Sequence, residues 1–407
     1  MAVTMSTRVL EIPFPTLTVQ SADHYRLESD CRIDGVVHRL FFEVAGAPVV
    51  ERIEPFVCAL LAPAQALGLD IVAHGAVSPV LLANLDLLQR QFAAWWPDKF
   101  RVIAIRPDAA EPMDISSSMT RGGCCCFSLG VDSMHSTLSH QDELTCLVYA
   151  HGFDTDLSAT DLRRRISTSA QAAAAALGKP LTEIATNIRQ ITDPIVWWGY
   201  QGGGFLGALA MLMSSRADRL LIPGAWSAEQ LRPWSIHPDI DPLWSTEHIR
   251  VESDALVGRI DKVAAVAASP LVMRHLRVCW HASTAGYNCG RCPKCLRTQL
   301  ALRAFRAVPA RHLFSGGLSL RRVAFSASLP DNEVIWYREI LAALRLQAHR
   351  DRPLEWALTS AIEGRYSRGY WKPVRRTLGA LKKRVKDMPG AYRLRWLMTR
   401  MRGTGQA

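Results

Sequence analysis

What the chain lacks narrows the field first. Met1 to Pro13 shows none of the basic-then-apolar layout of a secretory leader. The ten cysteines are therefore expected to be thiols or metal ligands rather than a disulfide framework, and the protein to be cytoplasmic. Long uncharged runs are missing too, with one exception. Val196 to Ser215 is nearly uncharged and as long as a marginal membrane span. Its glycines (Gly199, Gly202, Gly203, Gly204, Gly207), its place between two expected strands and the lack of a second such run favour a buried helix. A net excess of charge of one sign is missing from most of the chain. Arg365 to Ala407 holds 13 Lys or Arg against Asp387 alone, which is +12 of the net +11 and leaves the preceding 364 residues at −1. Residues 1–115 carry no chemical motif at all.

What remains is the composition of a globular protein, 49% apolar and 21% charged over 407 residues, enough for two or three domains with proper cores. Alternating positions from Arg8 to Asp34 and from Val36 to Val44 predict strands. Glu54 to Leu67 and Ser78 to Trp96 read as amphipathic helices, and Phe100 to Ile105 as a strand. Trp95 and Trp96 are expected to pack in a core. Residues 1–115 thus read as an α+β domain, followed by a Pro- and Ser-rich linker from Asp108 to Thr120.

From Gly123 strands and helices alternate. The expected strands are Cys124 to Phe127, Thr145 to Ala150, Leu181 to Ile188, Arg219 to Ile222 and His248 to Val251. The helices between them are Asp132 to His140, Asp161 to Leu177 and Ile195 to Ser215, with Leu256 to Ala268 after the last strand. This pattern predicts an α/β fold with a parallel sheet flanked by helices, whose ligands gather at the carboxyl ends of the strands. The stretch Ser128-Leu129-Gly130-Val131-Asp132-Ser133 lies at such an end. There backbone N–H groups and the positive end of a helix dipole converge, which suits an anion. Asp132 does not favour a bare phosphate by charge, so a bridging Mg²⁺ is expected with it. The plainer expectation is an ordinary corner with Asp132 or Ser133 as helix cap. Phe314 to Ser319 carries two glycines but no acid, and reads as a loop.

Cys279, Cys289, Cys292 and Cys295 are spaced C-x9-C-x2-C-x2-C, so they can surround a tetrahedral ion. Zinc and an iron–sulfur cluster both suit four thiolates. Cys124, Cys125 and Cys126 are expected as small apolar strand residues, with a nucleophilic role for Cys126 the less favoured alternative.

The order S-x-G-x-D-S after a strand resembles the pyrophosphate loop of the N-type ATP pyrophosphatases (PP-loop family), with Leu129 in place of the first glycine. The segment Cys289-Gly290-Arg291-Cys292-Pro293-Lys294-Cys295-Leu296-Arg297, with Cys279-Trp280 upstream, resembles the zinc segment of the 7-cyano-7-deazaguanine synthases within that family. Ile222-Pro223-Gly224 and the run Arg259 to Lys262 are weaker echoes. The resemblance covers roughly residues 120–305. It implies a PP-loop domain of the adenine nucleotide alpha hydrolase (HUP) type, and a helical extension with a basic tail over 306–407. It also implies ATP and Mg²⁺ at Ser128, Leu129, Gly130, Val131, Asp132 and Ser133, with Asp132, Ser128 and Ser133 in catalysis. Zn²⁺ would be structural at the four cysteines.

The activity so implied is adenylation of a carboxylate or amide oxygen of a small-molecule acceptor, then attack by ammonia or another nucleophile with release of AMP. Where the family has an acidic-Tyr-Gly-Gln segment the chain reads His151-Gly152-Phe153-Asp154, so its acceptor is not carried over. Lys262, Arg259, His151 and Asp154 are candidates to face the pocket, against the plainer expectation of structural or surface roles. Two alternatives stand beside this. The basic, aromatic-bearing stretch 365–402 could hold RNA in a tRNA base-modifying relative, or meet an anionic membrane surface. A non-catalytic nucleotide-binding zinc protein is the other.

Overall fold

A computed structural model describes residues 8–112, 114, 122–254, 256–280, 286–326 and 329–364. The basic stretch 365–402 and linker residues 115–120 lie outside them.

The N-terminal segment forms strands β1 (Val9–Ile12), β2 (Thr16–Ser21), β3 (His24–Ile33) and β4 (Val36–Ala45). Helix α1 (Glu54–Leu67), strand β5 (Asp70–Val77), helix α2 (Pro79–Trp95) and strand β6 (Ile105–Ala110) follow. The alternating block is β7 (Gly122–Cys126), α3 (Val131–Ser139), β8 (Leu144–His151), α4 (Thr160–Ala176), β9 (Leu181–Thr186), α5 (Ile188–Thr192), α6 (Trp198–Met213), β10 (Ala217–Pro223) and β11 (Arg250–Asp254). After it come α7 (Arg259–Ala267), α8 (Pro270–His275), α9 (Pro293–Ala304), α10 (Leu320–Ala324), α11 (Asp331–Leu346) and α12 (Arg352–Glu363).

All eleven strands join one mixed sheet, in the order β11-β10-β7-β8-β9-β4-β3-β1-β5-β6, with β2 on β3. The N-terminal strands do not make a sheet of their own. β4 pairs antiparallel with β9 (Phe42↔Thr186, Val44↔Ile184) and so extends the parallel block. The described chain also groups by compactness in a way that differs from segments 1–115, 120–305 and 306–407. One unit holds the residues up to Ser128 with Ser136–Val257, including every strand; the other holds Leu129–His135 with the residues from Gly258 on.

Two local expectations shift. The strand expected at Phe100 to Ile105 lies at Ile105–Ala110, pairing parallel with β5, so the first residues of the expected linker are strand. Pro107 and Asp108 read as breakers, yet an edge strand tolerates proline because its outer N–H positions need no partner. The uncharged run forms α6, whose buried residues include Gly202, Gly203, Gly204 and Gly207. A Cβ on Gly204 would stand 2.5 Å from the Cys58 carbonyl of α1, so glycine lets the two helices approach closely. Among the described residues no helix is long and apolar enough to cross a membrane. Trp95 and Trp96 are partly buried and pack against the core, Trp96 edge-on to Tyr200 at 4.9 Å.

The order β9-β8-β7-β10-β11 positions the loop of interest. The chain starts at β7, winds outward through β8 and β9, then returns to the other side of β7 for β10 and β11. The strand order thus reverses between β7 and β10, the switch point beside which doubly wound sheets take their ligands.

Candidate functional site: a loop, four cations and four cysteines

The turn after β7 is Phe127 to Gly130, and it opens α3. Leu129 is fully buried and has φ +63, the left-handed region where a Cβ normally clashes. The turn thus takes a backbone shape that suits glycine although the residue is leucine. Its carbonyl accepts a hydrogen bond from the Arg277 N–H at 2.9 Å. Leu129, Val131 and Ser133 bury their side chains, and the Ser133 hydroxyl donates to the Gly130 carbonyl at 3.2 Å. Ser133 therefore uses its hydroxyl proton within the loop. Ser128 is exposed.

Asp132 lies among cations. Its carboxylate pairs with Arg259, and Lys262 Nζ stands 3.9 Å away. Burial alone would raise the Asp132 carboxyl, but Arg259, Lys262 and Lys294 together hold it below the usual carboxylate range. Both cations come from α7, one turn apart, so they share a face. The sequence placed Arg259 and Lys262 as candidates; it missed Lys294 and Arg297. Both sit on α9 at a three-residue spacing, which is the signal that would have grouped them. Lys294 lies over the Trp280 ring at 5.0 Å, and Arg297 pairs with Glu333 of α11 at 3.2 Å.

His151 and Asp154 belong to the other unit. His151 is buried, and its Nε2 stands 3.0 Å from both Ser167 Oγ and Glu183 Oε2, where it ties α4 to β8 and β9. Burial pushes the Cys126 thiol well above its ordinary value, the opposite of what a thiolate nucleophile needs.

The start of α9 is fixed by cysteines. The ligand sulfurs of Cys279, Cys289, Cys292 and Cys295 all lie within 4.8 Å of one another. Cys279 and Cys292 sulfurs are 3.9 Å apart, as are those of Cys289 and Cys295. Zn–S bonds of about 2.3 Å put tetrahedral sulfurs ~3.8 Å apart, so the group could hold a single metal ion such as zinc. A multi-iron cluster binds its cysteines to different irons and would spread them wider. N–H groups of Arg291 and Cys292 point at the Cys289 sulfur (3.4 and 3.3 Å), and that of Cys295 at Cys292 (3.4 Å).

Asn288 ties the knuckle together and went unnoticed in the sequence. It is fully buried; its Oδ1 accepts from the Val278 and Cys279 N–H groups at 2.8 and 3.1 Å, and its Nδ2 donates to the Leu276 carbonyl at 2.9 Å. The loop Phe314 to Ser319 closes the underside. The Ser315 N–H donates to the Asn288 carbonyl at 2.9 Å, and a Cβ on Gly290 (φ +67) would stand 2.6 Å from the Gly316 carbonyl.

The fold and site define an α/β chain with a largely parallel mixed sheet flanked by helices, carrying a four-cysteine group that could hold a metal such as zinc. Against family models, curated proteins and solved structures alike, the chain matches none.

Proposed function

We propose that the chain is an ATP-dependent adenylating enzyme of the PP-loop kind, with the sheet of a nucleotide-binding HUP-type domain. The observation that carries the reading is the pair of cations, Arg259 and Lys262, set against the Asp132 carboxylate at the first turn of α3, with Lys294 and Arg297 acting at longer range. Several cations brought to the N-terminal end of a helix make a place for phosphate oxygens. The strand order from β9 to β11 supports it, because doubly wound sheets of order 3-2-1-4-5 take nucleotides beside their first strand. Left-handed Leu129 adds support, since strain of this kind collects at ligand-binding turns.

In this reading the loop N–H groups, the Ser128 hydroxyl and the cations hold the β- and γ-phosphates. A carboxylate or amide oxygen of a small acceptor attacks the α-phosphorus, the bond from that phosphorus to the bridging oxygen breaks, and pyrophosphate leaves. Ammonia or another nucleophile then takes the acyl carbon and AMP departs. The chain's part is positioning and neutralising the departing charge. Mg²⁺ would have Asp132 as its carboxylate and take its other ligands from phosphates and water, the usual arrangement for this ion. Asp132 would also keep Arg259 and Lys262 aimed at the turn between turnovers. The metal at the cysteines would hold α9, and so Lys294 and Arg297, in place without entering the reaction.

The test is pyrophosphate release from ATP and Mg²⁺ in the presence of a metabolite extract, with the acceptor identified by mass spectrometry of adenylated products. Asp132→Asn should abolish turnover while circular dichroism and metal content stay unchanged; a variant that still makes AMP would refute the assignment. Because Asp132 is already paired with Arg259, a second reading has a specific observation behind it: a nucleotide-binding protein without turnover. ATP binding without pyrophosphate release would establish that one.

A further inference from the structure

The helices after residue 305 lie beyond the stretch that carries the family resemblance, yet one of them reaches the cation cluster. Arg297 projects from α9 with its side chain 14% exposed, and it lies within electrostatic reach of Asp132 and Arg259. Two contacts from α11 hold it. Glu333 Oε1 takes its Nη1 at 3.2 Å, and the Trp336 ring lies 5.1 Å from its guanidinium carbon. Glu333 and Trp336 are 5% and 7% exposed, so neither is a surface partner of convenience. Their three-residue spacing sets both on one face of α11.

Arg297 shares its surroundings with Arg259, and Asp132, Glu333 and the Cys292 sulfur offset the two cations. The Arg297 guanidinium is incompletely used. Its Nε has no hydrogen-bond partner although it is buried, and the same holds for Thr298 Oγ1 and Glu333 Oε2. Arg259, Arg297, Thr298, Trp336 and Glu339 line a cavity of about 10 Å³, room for a single water and not for a substrate. A structural arginine would normally satisfy its fork on protein partners.

We infer that Arg297 is a further ligand of the nucleotide's pyrophosphate end, and that Glu333 and Trp336 of α11 are the residues that position it. The inference rests on the nucleotide reading above. It makes the helical extension part of the site rather than an appendage. The fork geometry of arginine is suited to two phosphate oxygens at once, provided the planar group is held in one orientation. The contacts from α11 supply that orientation.

The experiment is calorimetric titration of the intact protein with inorganic pyrophosphate, at fixed salt, alongside thermal melts and metal content. Arg297→Ala should weaken pyrophosphate binding at least tenfold, and Arg297→Lys should recover only part of that loss. Glu333→Leu and Trp336→Leu should each weaken it several-fold in the wild-type background. Neither should weaken it further once Arg297 is alanine, because their effect passes through that side chain. The sign is decisive for Glu333. Removing a carboxylate strengthens anion binding if its role is only electrostatic, and weakens it if the role is positioning. Tighter or unchanged binding in Glu333→Leu, or an equal loss in the Arg297→Ala background, would overturn the inference and leave the nucleotide reading intact. Trp336→Phe keeps an aromatic face and should bind as the wild type, which covers the case in which the leucine variant fails to fold. Failure of the wild type to bind pyrophosphate or ATP at all would overturn both.

Discussion

A leucine in left-handed backbone is the most informative single residue of the loop. Leu129 loses no accessible apolar surface to solvent, being fully buried, but holds φ +63 against its own Cβ. Truncation to alanine removes the buried isobutyl group and keeps the clash; truncation to glycine removes both. Large-to-small replacements normally destabilise more as the residue shrinks, at about 2–5 kcal/mol for leucine to alanine. Here the order should invert. Leu129→Gly should be more stable than Leu129→Ala by about 1 kcal/mol, the usual cost of left-handed backbone for a residue with a Cβ, as measured by urea unfolding of the two variants. Equal stabilities, or alanine ahead of glycine, would mean the turn relaxes out of the left-handed region. The neighbouring Ser133 teaches a different lesson. Its hydroxyl is turned onto Gly130, so it shapes the loop rather than presenting a donor to a ligand.

At the level of elements, α9 is where metal chemistry and the cation cluster meet. The helix begins at Pro293, capped by the Cys292 sulfur, and carries Cys295, Lys294 and Arg297 within its first five residues. Loss of the ion removes the bonds that hold the four sulfurs together, so it should loosen this turn and with it both basic side chains. Chelator-treated protein, once shown to be metal-free, should therefore melt at a lower temperature and bind pyrophosphate several-fold more weakly, with re-addition of zinc restoring both. Metal-free protein with unaltered pyrophosphate affinity would separate the knuckle from the anion site. The α1 and α6 pair shows the opposite design. There contact depends on glycines that bring backbones together. Asn288 belongs to the knuckle as firmly as the cysteines do. Both engaged atoms of its amide bond to the backbone of residues 276–279.

At the scale of the whole molecule, the pH dependence of stability should carry the signature of the buried acid Asp241. Asp241 is fully buried, and burial pushes its carboxyl up to about 7 despite hydrogen bonds from Ser253 and the His237 N–H. A carboxyl raised in the fold binds its proton more tightly there than in the unfolded chain. Its contribution to stability is therefore fully present below the unfolded value near 4 and is lost as pH rises toward about 7, then levels. Asp241→Asn mimics the protonated form. It should remove that decline and be more stable than the wild type at pH 8, by on the order of 2 kcal/mol or more, while differing little at pH 4.5. Denaturant unfolding of both proteins at the two pH values checks this, and parallel curves would show that Asp241 ionises freely in the fold. Asp132 has the reverse sign. Its depressed carboxyl adds stability above the usual carboxylate range, and that contribution disappears as pH falls below it.

Some of this was dictated by the sequence alone. The helices over residues 54–67 and 198–213, the strand-turn-helix at 122–139 and the cysteine group are all readable locally, because apolar period and ligand spacing act over a few residues. Tertiary structure decided the rest. That β4 pairs with β9, so that N-terminal strands extend the parallel block, is a choice of sheet edge, and alternation marks a strand without naming its neighbour. The fate of Asp132 was equally hidden. Its partner Arg259 lies 127 residues away in the chain, and the Glu333 that holds Arg297 lies 36 residues beyond it. Backbone preference is set by near neighbours, whereas the pairing of charges depends on which side chains the folded chain brings together at a few ångströms, where Coulomb energy is large.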